Sequence, residues 1–319
     1  MGTDGRSAQV NDWTLADIPG QHGRTAVVTG ANSGIGYVTA RELARRGARV
    51  VLACRDETRG RAAEELLRTE VPDADVRLAP LDLADLASVR AFADGLPEER
   101  LDLLVNNAGV MALPRRRTVD GFEMQFGTNH LGHFALTGLL LPRLRAAGDG
   151  ARVVTVSSGM HLLGTVDPRD VQMDGGYRRW IAYARSKSAN LLFVHELARR
   201  LAAYGSPLVA AAAHPGYAAT NLQTAAARLE DRPWRERVAR AANRLVAQSA
   251  EAGALPTLRA ATGPDVRQDD FFGPRLQLWR GAPVRSVRAP WTRDDRASAG
   301  LWAVSERLTG VTYEWPPRV

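Results

Sequence analysis

Short apolar segments alternate with amphipathic ones along most of the chain, and this alternation limits the fold more than any other feature. The apolar segments predict six buried strands, at 25–29, 49–53, 75–79, 101–105, 151–156 and 208–213. Helices are predicted between them, over 34–46, 57–69, about 85–94, 121–146 and 182–203. One repeated strand–helix order predicts an α/β fold, a doubly wound parallel sheet with helices on both faces. A further strand at 270–272 brings the expected number to about seven.

The two ends of the chain do not follow this alternation. Residues 1–23 are interpreted as a polar leader without the apolar stretch of a secretory signal. Residues 222–250 are Ala- and Arg-rich, so they predict helical structure, and a helix is expected over 250–261. Residues 275–319, rich in Pro, Trp and Arg, are interpreted as a C-terminal extension without an assigned element. The chain has no apolar run of about 18 residues, so no membrane anchor is expected.

Composition argues against several classes of function. The one cysteine, Cys54, excludes an internal disulfide and a cysteine-based zinc site, and it favours a cytoplasmic location. The net charge of +7 comes from scattered arginines without an aromatic–basic recognition motif, so nucleic-acid binding is not expected. His130 and His133 have a helical metal-binding spacing but no third ligand, and no metal is expected.

A glycine-rich turn joins the first predicted strand to the first predicted helix. Its glycines let backbone N–H groups approach a pyrophosphate at the start of the helix. The turn therefore predicts a nucleotide site. Its candidate residues are Gly30, Asn32, Ser33, Gly34, Ile35 and Gly36.

Six motifs follow one another along residues 24–220. They are Thr29 with the glycine-rich turn, Asn106-Asn107-Ala108-Gly109, Asn129, Ser157-Ser158, Tyr183 with Lys187, and His214-Pro215-Gly216 with Thr220. In this order they resemble the motifs of the short-chain dehydrogenase/reductase family. Within its single-domain members, Ala53-Cys54-Arg55-Asp56 and the 128–134 segment resemble the retinol dehydrogenase-like branch. The resemblance implies that 24–319 forms one Rossmann-fold catalytic domain, with 222–250 as a substrate lid.

The resemblance also implies four catalytic residues. Tyr183 exchanges a proton with the substrate, Ser158 holds the substrate oxygen, and Asn129 supports a water-linked proton relay behind Lys187. Lys187 is the only lysine among the 42 basic residues, and it lies four residues after Tyr183, on the same side of a helix. A free tyrosine has a pKa of about 10, and one cation at about 4 Å is expected to bring that pKa nearer to neutrality.

The predicted cofactor is NADP(H) rather than NAD(H). The second strand ends without the acidic residue that binds the ribose of NAD, and Arg55, assisted by Arg59, is suited to the 2′-phosphate of NADP. Asp56 is the counterargument, because an inward-facing carboxylate would weaken this preference. The resemblance implies further cofactor contacts from Asp82, Leu83, Asn107, Ala108, Gly109, Tyr183, Lys187, Pro215, Gly216 and Thr220.

The expected reaction is hydride transfer between an apolar alcohol and its aldehyde or ketone. Two alternatives stay open, a ketoreductase that tailors a secondary metabolite and a non-catalytic NADP(H)-sensing protein. The candidate substrate-wall residues are Met160, Leu162, Leu163, Tyr217, Leu222 and Trp234, each of which is equally suited to the core or a subunit contact. The resemblance implies a homodimer or homotetramer paired through 121–146 and 182–203, unless the longer 159–182 segment covers that surface.

Overall fold

One eight-stranded sheet forms the centre of the computed structural model, which describes residues 12–216, 249–276 and 279–315. The strands are β1 Thr25–Thr29, β2 Arg49–Cys54, β3 Val76–Pro80, β4 Leu103–Asn106, β5 Arg152–Val156, β6 Val209–Ala213, β7 Phe271–Leu276 and β8 Arg280–Arg285. Their order across the sheet is β3–β2–β1–β4–β5–β6–β7–β8. The first seven strands are parallel, and β8 runs antiparallel to β7. The predicted doubly wound parallel sheet is confirmed.

Helices cover both faces of the sheet. They are α1 Gly34–Arg45, α2 Glu57–Glu70, α3 Leu86–Asp94, α4 Met124–Phe126, α5 Gly132–Ala146, α6 Arg179–Ala203, α7 Ala250–Thr262 and α8 Asp295–Thr309. Side chains of α1, α2 and α7 share one core cluster, and those of α3, α5 and α6 share the cluster on the other face. Strand residues such as Val27 and Val28 are fully buried, because both faces are covered.

The sequence predicted about seven strands, and the structure has eight. The missed strand, β8, reads Arg-Gly-Ala-Pro-Val-Arg and has no continuous apolar run. It pairs on one side only, at the edge of the sheet, where a proline and polar side chains are tolerated. The helix predicted over 121–146 also differs, since a π-helical turn, Gly127–Leu131, joins α4 to α5.

The C-terminal extension, which had no assigned element, contains β8 and α8. Trp302 of α8 is 2% exposed and packs against Phe134 of α5 and Phe193 of α6. The Tyr313 hydroxyl donates a 2.7 Å hydrogen bond to the Phe134 carbonyl. This extension covers a surface of α5 and α6 for which the sequence left two alternatives open, a subunit contact or the longer 159–182 segment. Val171 of that segment adds to the same cover, beside Leu192 and Leu301.

The described part of the predicted polar leader packs against the domain. Ile18 is 2% exposed, Trp13 and Leu15 lie against the same core cluster, and Arg46 donates to the Leu15 carbonyl at 2.7 Å. The predicted helical segment 222–250 lies outside the described residues, apart from its last two positions. Within the described ranges, no helix combines the length and apolar character needed to cross a membrane.

Candidate active site

Tyr183, Lys187 and Ser158 meet at the carboxyl ends of the central strands. Tyr183 and Lys187 lie one turn apart on α6, and Ser158 follows β5 directly. The Tyr183 and Ser158 hydroxyls lie close enough for Ser158 to lower the pKa of Tyr183. The Lys187 Nζ atom lies 5.8 Å from the centroid of the Tyr183 ring. The structure therefore brings three of the four predicted catalytic residues into one group.

Contacts with β5 fix α6 in this position. Lys187 Nζ donates to the Val156 carbonyl at 3.1 Å, and Asn190 Nδ2 donates to the same oxygen at 3.1 Å. The Ser157 hydroxyl donates to the Lys187 carbonyl at 2.8 Å. Neighbouring residues of an extended chain point to opposite sides. Ser157 is therefore used to hold the helix, and Ser158 is the serine beside Tyr183.

Asn129, the fourth predicted residue, lies in the π-helical turn, and its side chain makes three hydrogen bonds. Its Oδ1 accepts from Val110 N at 2.7 Å, and its Nδ2 donates to Val110 O and to Ser186 Oγ, both at 2.9 Å. Gly109 separates Asn129 from Lys187. A Cβ atom added at Gly109 would lie 3.1 Å from Asn129 Oδ1 and 3.5 Å from Lys187 Nζ.

Burial shifts the pKa values of Tyr183 and Lys187 in opposite directions. Burial raises the pKa of Tyr183 to about 12, with the Ser158 hydrogen bond opposing the shift, and burial lowers the pKa of Lys187 to about 8. The prediction that Lys187 brings the pKa of Tyr183 towards neutrality is wrong for the protein without its cofactor. Removing the phenolate from water is the dominant cause of the raised pKa of Tyr183. At neutral pH Tyr183 therefore carries its proton and is able to donate it.

The glycine-rich turn is shaped for close backbone approach. A Cβ atom at Gly36 would lie 2.4 Å from both the Gly30 carbonyl oxygen and Asn107 Nδ2. Gly30 has φ +66°, in the left-handed region that favours glycine. Ser33 begins α1 without a side-chain hydrogen bond to the helix amides. Amides left without a cap at a helix N-terminus are suited to a phosphate.

A cavity of about 280 Å³ extends from this turn along the carboxyl ends of the strands. The predicted cofactor residues that line it are Gly30, Asn32, Ser33, Arg55, Asp82, Leu83, Ala108 and Gly109. Arg59 lines the same cavity, and the ion pairs found among the described residues include neither Arg55 nor Arg59. Asp56 also lines it, but its carboxylate caps α2 by accepting from Arg59 N at 3.0 Å.

Comparison with known proteins agrees with this geometry. The family model for short chain dehydrogenases matches residues 24–231. The chain belongs to the short-chain dehydrogenase family. It is an oxidoreductase acting on CH–OH and C=O groups, on a fold that binds nicotinamide dinucleotides. The predicted family is confirmed.

Similar members of the short-chain dehydrogenase family include retinol dehydrogenases. Retinol dehydrogenase 12 of Mus musculus is 42% identical over 308 residues, covering 94% of this chain and 90% of the relative. Polyprenol dehydrogenase of Mus musculus is 45% identical over 306 residues, covering 92% and 86%. The crystal structure of an uncharacterized protein from Mycobacterium Paratuberculosis matches with a TM-score of 0.79 and 48% identity, covering 95% of this chain and 99% of that one.

Other predicted cofactor residues of this short-chain dehydrogenase do not line the cavity. Asn107 donates from Nδ2 to the Thr29 carbonyl at 2.7 Å and so holds the glycine-rich turn. Gly34, Ile35 and Gly36 form the first turn of α1, and Pro215 and Gly216 follow β6. Thr220 lies outside the described residues.

The structure describes three of the six predicted substrate-wall residues. Met160 N donates to Ser158 Oγ at 3.2 Å, so its backbone lies against the candidate site. Leu162 and Leu163 lie on the turn after Ser158 and are 39% and 63% exposed, which excludes them from the core. Tyr217, Leu222 and Trp234 lie outside the described residues.

Sequence reasoning missed several residues that line the cavity. Val110, Met111 and Leu113 follow Gly109 directly, and Thr128 precedes Asn129. The sequence could have indicated them, because each lies within a few residues of a motif that was recognised. His130 and His133, whose spacing suggested a metal, instead bond Ser305 and Thr29. Within the described ranges, no group of three or more His, Cys, Asp and Glu residues is placed to hold a metal ion.

Proposed function

We propose that this short-chain dehydrogenase interconverts an apolar alcohol and its aldehyde or ketone with NADP(H), using Tyr183 as the general acid and base. The grouping of the Tyr183 and Ser158 hydroxyls beside Lys187 is the observation that carries the proposal. A carbonyl oxygen placed between the two hydroxyls accepts a hydrogen bond from each.

The reaction divides a hydride and a proton between two atoms of the substrate. The nicotinamide, when bound, would supply or accept the hydride at the carbonyl carbon. Tyr183 gives its proton to the oxygen in reduction and takes a proton from the hydroxyl in oxidation, while Ser158 holds that oxygen. The raised pKa of Tyr183, about 12, keeps the proton available for the reductive direction at neutral pH.

Lys187 and Asn129 are assigned to the proton relay that supplies Tyr183. One proton of the Lys187 ammonium is bound to Val156 O at 3.1 Å, which leaves two donors for the ribose and a water. Both Nδ2 protons of Asn129 are already used, so Asn129 serves the water-linked relay as an acceptor, and we assign that part to its main-chain carbonyl.

The preference for NADP(H) rests on Arg55 and Arg59. Both guanidinium groups border the cavity at the end of β2, and both are suited to a 2′-phosphate. The hydrogen bond that Asp56 accepts as the cap of α2 weakens the competing interpretation, in which its carboxylate binds the ribose of NAD.

The substrate class is supported by two observations. Retinol and polyprenol, which give two relatives their names, are apolar isoprenoid alcohols. Leu162 and Leu163 expose apolar surface on the turn that begins at Ser158. We propose apolar, extended primary alcohols and their aldehydes as the first substrates to examine.

Turnover by Tyr183→Phe tests the reaction. NADPH oxidation is followed by absorbance against apolar aldehydes and ketones, and the variant is expected to lose about 10²–10⁴-fold in kcat, the usual contribution of a general acid. Tyr204→Phe is the matched control, since Tyr204 follows the opposite end of α6 and stacks on Trp315. Undiminished turnover in Tyr183→Phe would refute the assigned role.

Replacing the two arginines tests the cofactor. Arg55→Ala and Arg59→Ala are each expected to lower kcat/KM for NADPH by about 10–100-fold, the value of a charge-assisted hydrogen bond, and to leave NADH unaffected. Arg61→Ala is the control, because Arg61 pairs with Glu57 on the exposed side of α2. Equal losses with both cofactors would contradict the assignment to the 2′-phosphate.

A further inference from the structure

His133 is a buried imidazole between two parts of the site that are far apart in sequence. It lies on the first turn of α5 and is 1% exposed. Its Nδ1 lies 3.0 Å from the main-chain oxygen of Asn129, and its Nε2 lies 2.9 Å from Thr29 Oγ1. Thr29 is the last residue of β1, immediately before the glycine-rich turn.

The partners determine which nitrogen carries the proton. A carbonyl oxygen only accepts, so Nδ1 is protonated and donates to Asn129 O. In the neutral ring Nε2 is then an acceptor, and the Thr29 hydroxyl donates to it. The other acceptor within reach of that hydroxyl, Val105 O, is farther away at 3.4 Å.

Thr29 joins this pair to the cofactor-binding segment after β4. Its Oγ1 accepts from the backbone amides of Asn107 and Ala108, both at 2.9 Å. One donated and two accepted hydrogen bonds use the full capacity of a hydroxyl. A continuous chain of bonds therefore runs from the Asn107–Ala108 backbone through Thr29 and His133 to Asn129.

The imidazole binds a carbonyl of the π-helical turn, where the helical hydrogen bonding is irregular. At this turn Gly132 N bonds to Gly127 O, five residues earlier, so the regular α-helical ladder is interrupted around Asn129. Both amide protons of the Asn129 side chain are bonded, to Val110 O and Ser186 Oγ, and its Oδ1 accepts from Val110 N. The main-chain oxygen of Asn129 has two lone pairs, and His133 Nδ1–H binds one of them.

We propose that His133 is a positioning residue, whose Nδ1–H fixes the Asn129 main-chain carbonyl while the Thr29 hydroxyl holds the ring in the tautomer that donates there. This proposal rests on the proposed function, because that carbonyl matters only if Asn129 serves the proton relay. His133 acts by geometry rather than by carrying a proton. Burial, with a smaller contribution from the charge of Lys187, lowers the pKa of His133 to about 4, so the ring stays neutral at assay pH.

Two substitutions separate the two hydrogen bonds. In His133→Asn the amide N–H lies near the Nδ1 position and retains the bond to Asn129, whereas in His133→Gln the amide lies near Nε2 and retains only the bond to Thr29. We expect kcat to stay close to the wild-type value in His133→Asn. In His133→Gln and His133→Leu we expect it to fall by about 10–100-fold at unchanged NADPH affinity, as for a misplaced relay group.

Thr29→Val is the third test. In this variant His133 keeps its bond to the Asn129 carbonyl, but the Asn107 and Ala108 amides lose the hydroxyl that binds them. We expect it to weaken NADPH binding and to change kcat less than His133→Gln does. Equal kcat losses in the Asn, Gln and Leu variants would overturn the proposal in favour of simple packing. Unchanged kcat in all three, or a greater loss in His133→Asn than in His133→Gln, would overturn it as well.

A tautomer measurement needs no turnover and so separates this proposal from the proposed function. Long-range ¹H–¹⁵N spectra of the wild-type protein, assigned through His133→Asn, are expected to show a neutral Nδ1–H ring between about pH 6 and 9, well above its lowered pKa. An Nε2–H ring would refute the role of His133 even if every aldehyde is reduced. An Nδ1–H ring in a protein that reduces nothing would refute the function and leave the geometry intact.

Discussion

The β1–β4 part of the sheet and its C-terminal edge are stabilised by different kinds of contact. At the carboxyl ends of β1 and β4 the backbone itself is in contact. Gly36 lies against Gly30 and Asn107, and Thr29 holds two neighbouring amides. Beyond β6 the contacts come from side chains. Trp302 and Tyr313, with ring centroids 4.4 Å apart, cover α5 and α6.

The β1–β4 region forms the binding cavity, whereas the C-terminal region contributes to the stability of the fold. The cavity is lined by the loops after β1–β4 and by the start of the π-helical turn, and residues of β7, β8 and α8 do not contribute to it. We therefore expect changes in the first region to alter NADPH binding and turnover. Changes in the C-terminal region are expected to alter the free energy of unfolding while the folded protein keeps its activity.

The largest expected effect is the loss of the Trp302 side chain. Trp302→Ala leaves a cavity against Phe134 and Phe193, and a buried aromatic-to-alanine change destabilises by about 3–5 kcal/mol. Urea unfolding measures this loss, with Trp279→Ala as the control, since Trp279 is 43% exposed. The activity per folded molecule is expected to be unchanged. If activity falls further than the folded fraction, packing in the C-terminal region also affects the active site, and the two regions are not independent.

The two regions also differ in how far the sequence predicts them. Buried parallel strands are continuous apolar runs, so β1, β2, β5 and β6 are readable without tertiary information. Strand β8 is not, because Gly281 and Pro283 are poor strand formers and its pairing depends on β7 already being in place.

Within the site, too, some features can be predicted from the sequence and others depend on the folded structure. Tyr183, Lys187 and the glycines have a fixed local spacing, and the sequence indicates them directly. The bond between His133 and Thr29 joins residues 104 positions apart, so local spacing carries no signal for it. The pKa of Tyr183 was predicted in the wrong direction, because the sequence does not show how completely the folded protein buries its hydroxyl.

A methyl group at Gly36 tests the backbone contact of the β1–β4 region. In Gly36→Ala the new Cβ lies 2.4 Å from the Gly30 carbonyl oxygen, a backbone atom that moves only with the whole turn. We expect destabilisation of about 1–3 kcal/mol together with a weaker NADPH affinity. Gly175→Ala is the control, since a Cβ there has no neighbour within 4 Å. Normal NADPH affinity in Gly36→Ala would show that the close approach does not shape the site.

The titration of Lys187 is expected to change turnover. Burial lowers its pKa to about 8, so the free enzyme loses the positive charge as the pH rises through that value. Because kcat/KM reports groups of the free enzyme, kcat/KM for NADPH is expected to fall about tenfold per pH unit above pH 8. Residual activity of Lys187→Arg, whose charge persists, should show no such fall. A wild-type profile that stays flat to pH 10 would contradict this assignment.

The titration of His195 is expected to change stability instead, and by less. His195 of α6 bonds Asp269 at 2.8 Å and Asp295 at 2.9 Å, which connects the helix to the C-terminal edge, with Arg288 and Arg199 paired to the same two carboxylates. The hydrogen bond to Asp269, followed by burial in the opposite direction, raises the pKa of His195 above its usual 6.5.

A raised pKa in the folded state means that protonated His195 stabilises the fold fully below pH 6.5, and that this contribution is lost as the pH rises through the folded-state value. Two nearby arginines and partial exposure limit the contribution to about 1 kcal/mol or less. His195→Gln is therefore expected to lower the Tm at pH 5.5 more than at pH 8.5, with turnover per folded molecule unchanged at both. A larger Tm loss at pH 8.5 would mean that His195 is held as a neutral ring. The connection between α6 and the C-terminal edge would then be a set of ordinary hydrogen bonds that does not respond to pH.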